Sequence, residues 1–413
     1  MLKTSRAPAV VGQALGSLRE NRPFRLLWFS NLFFFGGVWT QTLVLGWLAY
    51  ETTRSDLLVA VFAAARLAPL LLGPFAGAVA DRHNRVRLLV IACSWALVTG
   101  SGVAALTSLD KAPYWVLLVG GLAVGLAQSP SQPARASLVL DLVGRRNLSN
   151  ANALNSMALN MTQVIGPAIG GLMISGLGAA AALWISTVWY AISLAMLLPL
   201  RGLGHVTHEH AESAVRMVVG GLRAIVRNRL ARSVLLVTLA ANIFLWPIYQ
   251  AFMPVFAHES LGLDAAGLGW LLTCGGVGGL LGSVVIAALG DFRWKGAMFL
   301  VGTACWGTLW SLFALSTNPA TSFLLMGGIG VMSAAFGVLQ TTLLLMTTDP
   351  HLHGRALGVQ ELAIGIMPLA SLVLGALANH YGVALTTFAS ALLLVASTLT
   401  LTVRTPKLLR YGV

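Results

Sequence analysis

The stretch Gly77-Ala-Val-Ala-Asp81-Arg82-His83-Asn84-Arg85-Val86-Arg87 places an acid and three arginines within residues 81 to 87, directly after a run of mostly apolar residues. Charge is scarce elsewhere: the 413 residues are 57% hydrophobic and only 9% charged. An ordinary soluble protein carries about a quarter charged residues, so a water-facing surface cannot be built from this composition. The solvent that fits is lipid, and the quoted stretch reads as a polar turn between two spanning helices.

Working outward from that turn, apolar runs of about twenty residues, the length that crosses about 30 Å of hydrocarbon, recur along the whole chain. Their expected positions are 26 to 49, 57 to 80, 87 to 107, 114 to 139, 151 to 175, 180 to 200, 233 to 256, 266 to 289, 297 to 316, 320 to 347, 357 to 378 and 383 to 403. The longest interruption, 201 to 232, divides six spans from six. The expected organisation is an N-terminal segment 1–25, a bundle 26–200, a linker 201–232, a second bundle 233–403 and a tail 404–413. Within the linker, Val215, Val218, Val219, Leu222 and Ile225 form one helical stripe and Arg216, Arg223 and Arg227 the other side, as in a helix lying on a membrane surface.

The formal charge of +13 would suggest nucleic acid in a soluble protein, but its distribution says otherwise. If the N-terminus is cytoplasmic, every Lys and Arg except Arg54, Arg66 and Lys111 falls on the cytoplasmic side, with Arg135, Arg145 and Arg146 assigned to the region after the fourth span. This bias is the positive-inside pattern of a multi-pass inner-membrane protein with both termini cytoplasmic, and it excludes nucleic acid as a partner. No GxxxxGK[ST] loop, nucleophile elbow or zinc-ligand pair is present, so no nucleotide, cofactor, metal or enzymatic role is expected. Cys93, Cys274 and Cys305 read as small buried apolar residues in helices, and the histidines of "GHVTHEHAES" as part of a solvated linker. No cleaved signal peptide is expected in "MLKTSRAPAVVGQALGSLRENRPFR", which lacks a sustained apolar core before a small-residue cleavage site.

The second half echoes the first. "GSVVIAALGDFRWKG" ends the eighth span as the quoted stretch ends the second, and six plus six with an echo is the pattern of a transporter built from repeated bundles. "GAVADRHNRVR" resembles the loop two-three signature of the major facilitator superfamily, with Asn84 replacing the usual glycine. "NALNSMALNMTQVIGPAIGG", "LGWLAYETTRSDL" and "HGRALGVQELAIGIMPLASLVLGALANHYG" are similar, in order, to its enterobactin-exporter-like branch of bacterial efflux proteins. The resemblance implies an all-α integral membrane protein with twelve transmembrane helices in two pseudo-symmetric six-helix bundles. It also implies export of a small amphipathic molecule, siderophore-like or drug-like, by proton antiport with alternating access. A monomer in the lipid bilayer is expected. A lipid or lysolipid translocator and an uncoupled facilitator share the same helices.

Candidate site residues follow from polarity inside the spans. Arg66 stands about 13 Å down the second span, where an arginine facing lipid costs at least about 2.5 kcal/mol; it either contacts an anionic or catecholate substrate or pairs with a group on another helix. Glu361 is the best embedded acid and the candidate proton carrier, the other reading being a carboxylate bonded to Arg355 or to helix N–H groups. Asn31, Trp39, Gln41, Gln128, Asn242, Trp246, Tyr249, Gln250 and Gln340 lie on spans one, four, seven and ten, which the resemblance implies line the substrate cavity. Gly77, Asp81, Arg85 and Asp141 form a candidate gate: Asp81 would meet the start of span eleven and Arg85 would pair with Asp141, the alternative being a loop that only sets topology. Gly166, Pro167, Gly170 and Gly171 would let another backbone approach closely.

Overall fold

A computed structural model describes residue 18 and residues 21–73, 83–203, 214–289, 292–349 and 352–412. Gly77, Asp81 and the linker histidines lie outside the described residues. Helix starts are written into the sequence. Asn21 caps α1 (Arg22–Thr53), its side chain accepting from Phe24 N at 3.0 Å. Ser55 caps α2 (Asp56–Leu67), which tightens into a 3-10 turn over Ala68–Leu72 at Pro69, a residue that cannot donate to the helix ladder. Asn84 caps α3 (Arg85–Ser108). A continuous run, α4 (Tyr114–Leu197), is broken at Gly144 and Gly178, where φ of 67° and 85° turns the chain left-handed. Glycine meets that requirement without the penalty a Cβ would bring.

After the linker helix α5 (Ala214–Arg227) come α6 (Arg229–Phe244), α7 (Trp246–Ala251), α8 (Ala265–Leu289), α9 (Lys295–Leu315), α10 (Pro319–Met346), α11 (His353–Gly365), α12 (Met367–Tyr381) and α13 (Val383–Arg404). Among the described residues, nine segments are long and apolar enough to cross a membrane. One of them, Asn150–Leu200, contains the turn at Gly178 and so supplies the expected spans five and six. The expected second span is described as α2 and its 3-10 extension, and the fourth as the part of α4 before Gly144.

α1 and α3 pack on α4 in the first bundle, and α8, α9, α10 and α13 pack together in the second. Lipid offers no hydrophobic drive between helices, so backbone approach matters. A Cβ on Gly278 would lie 2.0 Å from the carbonyl oxygen of Gly327, and one on Gly330 2.0 Å from that of Gly275, so α8 and α10 pack backbone to backbone. The bundles meet along α4 against α8 and α2 against α12. There a Cβ on Gly171 would come within 2.6 Å of Ala265 O, and one on Gly375 within 2.3 Å of Ala60.

Two expectations change. The linker helix does not rest on a surface by its whole apolar stripe. Ile225 is buried and a Cβ on Gly221 would lie 2.3 Å from Arg355 O, so one edge of α5 docks on the start of α11 while Val219 and Leu222 stay exposed. Cys93 is buried as expected, but Cys305 is exposed.

Candidate functional site

At the boundary between the bundles, Arg66 is 5% exposed and donates from one terminal nitrogen to Gln250 Oε1 at 2.7 Å. Its Nε has no hydrogen-bond partner. The partner is thus an amide of the opposite bundle, and no carboxylate within ion-pair distance neutralises the guanidinium among the described residues. Beside it a cavity of about 30 Å³ is lined by Trp39, Pro167, Tyr249, Gln250 and apolar neighbours from both bundles. Arg66, Trp39, Tyr249 and Gln250 therefore come together as one amphipathic cluster, with Trp246 6.0 Å from Tyr249 edge to face.

The other expected lining residues do not join it. Asn31 donates to Asn155 and accepts from Arg135 inside the first bundle. Gln41 accepts from Tyr190 Oη at 2.8 Å, also inside that bundle. Asn242 is spent on Thr238 O of its own helix at 2.8 Å. Gln128 and Gln340 are half-buried, and Gln340 Oε1 finds no donor. Asn31, Gln41 and Asn242 are thus held by a neighbouring helix or their own backbone, which engages them without a substrate.

Arg135 is the largest correction. Assigned from the sequence to the basic region after the fourth span, it is 2% exposed in α4. Its guanidinium donates to Ser30 Oγ at 3.1 Å, to Asn31 and to Cys93 Sγ at 3.5 Å, and lies 4.7 Å from the centroid of the Phe34 ring. A buried arginine needs such donors' partners and ring faces in place of water. Only the three-dimensional neighbourhood identifies it, since in sequence it sits among loop-proximal residues.

Arg85 and Asp141 form the expected ion pair, but both belong to the first bundle, joining α3 to α4. Asp81, the other charged member of the expected gate, lies outside the described residues. Glu361 on α11 keeps accessible surface, and its Oε2 would lie 3.9 Å from a Cβ on Gly73, where α2's extension meets α11. At the opposite end, Tyr50 Oη donates to Glu259 Oε1 at 2.9 Å, tying α1 to the turn after α7. That contact between bundles carried no sequence signal.

The packing glycines divide by role. Thr40 Oγ1 donates to Gly166 O at 3.0 Å, and Gly170 faces α1, whereas Gly171 and Pro167 O face Ala265 and Gly269 of α8. One helix face thus serves its own bundle and the next the opposite bundle.

The profile described as transmembrane secretion effector matches residues 13–410. The chain belongs to this family of the major facilitator superfamily. Among curated relatives, the multidrug efflux pump Tap of Mycolicibacterium fortuitum is 25% identical, over 90% of this chain and 92% of that one. The staphyloferrin A transporter of Staphylococcus aureus is 22% identical, over 86% of this chain and 89% of the relative. A solved peptide transporter of the POT family, bound to alafosfalin, superposes with a TM-score of 0.77 at 14% identity, covering 95% of this chain and 96% of that one. That likeness concerns the fold, which places two helical bundles around a shared boundary. By its family and these relatives, the chain is a multi-pass membrane transporter.

Proposed function

We propose that this chain exports an amphipathic organic molecule across a bacterial inner membrane, both termini cytoplasmic, by alternating access coupled to inward proton movement. The observation that carries the reading is the cluster of Arg66, Gln250, Tyr249 and Trp39 at the bundle boundary: a cation, an amide and two aromatic faces that part when the bundles rock. The relative named as a multidrug efflux pump supports the direction, and it and the staphyloferrin A transporter support an organic substrate. Arg66 would hold an anionic or polar group while Tyr249 and Trp39 stack on a ring. Glu361 would carry the proton. Its place beside Gly73 means that its charge acts where α2's extension meets α11, so neutralising it changes a contact between bundles.

A lipid translocator would call for a groove open to the bilayer between the bundles. The close approach of α4 to α8 and of α2 to α12 counts against it. An apolar groove of about 630 Å³ does exist, lined by Phe244, Leu369, Val373, Leu377 and Leu393, but it lies within the second bundle.

The test uses proteoliposomes holding a pH-sensitive dye, with proton movement recorded on adding catecholate, cationic-drug or lysolipid substrates to the wild-type chain and to Glu361→Gln. Substrate-dependent proton flux lost in Glu361→Gln is expected. Substrate flux with no proton movement would leave an uncoupled facilitator, and lysolipid movement alone would overturn the reading.

A further inference from the structure

A second cavity, of about 40 Å³, lies where Gln163 of α4 meets α7 to α10 of the second bundle, and is walled by Gln163, Trp246, Tyr249, Trp306, Trp310 and Ser333. Trp306 and Trp310 are 1% and 0% exposed. Neither indole Nε1–H has an acceptor among the described residues. Other tryptophans of this chain do find one: Trp28 donates to Leu154 O at 2.8 Å, Trp95 to Ala123 O at 3.0 Å and Trp184 to Ser108 Oγ at 3.1 Å. A buried donor left without an acceptor costs about 1–3 kcal/mol, a cost that phenylalanine, with a smaller ring and no N–H, would not carry. Two such donors one turn apart on α9, both lining one cavity, therefore need an explanation that packing does not supply.

α8 lines the cavity with Gly275, Gly276 and Gly279 and α10 with Gly330, and the same stretch packs backbone to backbone: a Cβ on Gly330 would lie 2.0 Å from Gly275 O and one on Gly276 2.9 Å from Gln163 O. Trp306 meets Trp246 at 5.6 Å, edge to face. Tyr249 lines this cavity and also the one at the bundle boundary, so the two share one side chain as a wall.

We infer that Trp306 and Trp310 form a subsite for an acceptor oxygen, a carbonyl, hydroxyl or phenolate carried on a ring of the transported molecule, whose body lies at the bundle boundary. The cavity admits a small oxygen-bearing group and not a whole ring. Indole N–H groups only donate, so the subsite selects acceptors and rejects apolar or purely cationic aromatics. This rests on the exporter reading and names the part of the substrate that the second bundle recognises.

Calorimetric binding to the purified full chain tests it with two probes: 2,3-dihydroxybenzoylglycine, rich in acceptors, and tetraphenylphosphonium, aromatic with none. Trp306→Phe and Trp310→Phe keep a ring and remove a donor. Each is expected to weaken the dihydroxybenzoyl probe about tenfold and to leave tetraphenylphosphonium within about twofold. Gly279→Ala, whose Cβ would make an ordinary 3.8 Å contact with Gly330 O, narrows the cavity without forcing the helices apart and should weaken the same probe. Equal losses for both probes, no loss for either, or a wild-type chain that fails to bind the dihydroxybenzoyl probe would overturn the subsite. Flux measured in parallel separates the two readings, because binding with the expected losses but without transport would sink the exporter and leave the subsite standing.

Discussion

Arg66 and Arg135 are both buried cations, yet their surroundings assign them different work. Arg66 bonds across the bundle boundary to Gln250 and keeps an unpaired Nε, so its bonding changes whenever the bundles separate. Gln250→Leu is expected to remove a hydrogen bond to a charged group, worth about 1.5–3 kcal/mol, and to lower the unfolding temperature in detergent together with substrate affinity. Arg66→Lys keeps the charge and loses the planar fork, so export should fall while expression stays normal. Arg135 is held by Ser30, Asn31, Cys93 and Phe34 within one bundle. Asn31→Leu should strand it and destabilise the fold, whereas Asn31→Asp should be tolerated better than Asn31→Leu because it restores an acceptor of opposite charge. Thermal unfolding of the two variants side by side checks this ordering.

Among the elements, the contact of α4 with α8 decides how far the bundles can close. Gly171 has Ala265 O at 2.6 Å and Gly269 Cα at 2.9 Å from where a Cβ would stand, while Gly176, one turn and a half further on, has nothing within 4 Å. Gly171→Val is expected to abolish transport by holding the helices apart, and Gly176→Ala to leave it unchanged, as read by substrate flux in vesicles. The Arg85–Asp141 pair, beside the Gly144 break in α4, is partly exposed, at 11% and 21% for its side chains. Such pairs contribute about 0–1 kcal/mol, so Asp141→Asn should barely move the unfolding temperature even if it changes flux.

On the scale of the whole molecule, the two ends of the bundle boundary are built differently. The end opposite the Arg85–Asp141 pair is tied by Tyr50 and Glu259, with His258 packed edge to face on Tyr50 at 5.4 Å. Tyr50→Phe removes the hydrogen bond and keeps the ring. Faster hydrogen exchange over residues 256 to 261 is the expected outcome, with the exchange of α3 unchanged. Unchanged exchange in both places would mean that the contact does not hold the bundles together at this end.

The all-helical membrane fold was legible from one dimension because lipid leaves a chain few choices. Backbone groups must be satisfied within each span, so span length, apolar composition and caps such as Asn21, Ser55 and Asn84 place the helices. The basic residues similarly carried the expected topology, and the motif around Gly77 to Arg87 carried the family. What tertiary structure decided was which polar residues face which neighbour. A polar side chain on a spanning helix reads the same whether it points into its own bundle, as Asn31, Gln41 and Arg135 do, or across the boundary, as Arg66 and Gln250 do. Periodicity fixes a helix face but not the helix opposite it. The partners of Arg135, the Tyr50–Glu259 tie and the paired indoles of α9 therefore became visible only once the helices were packed.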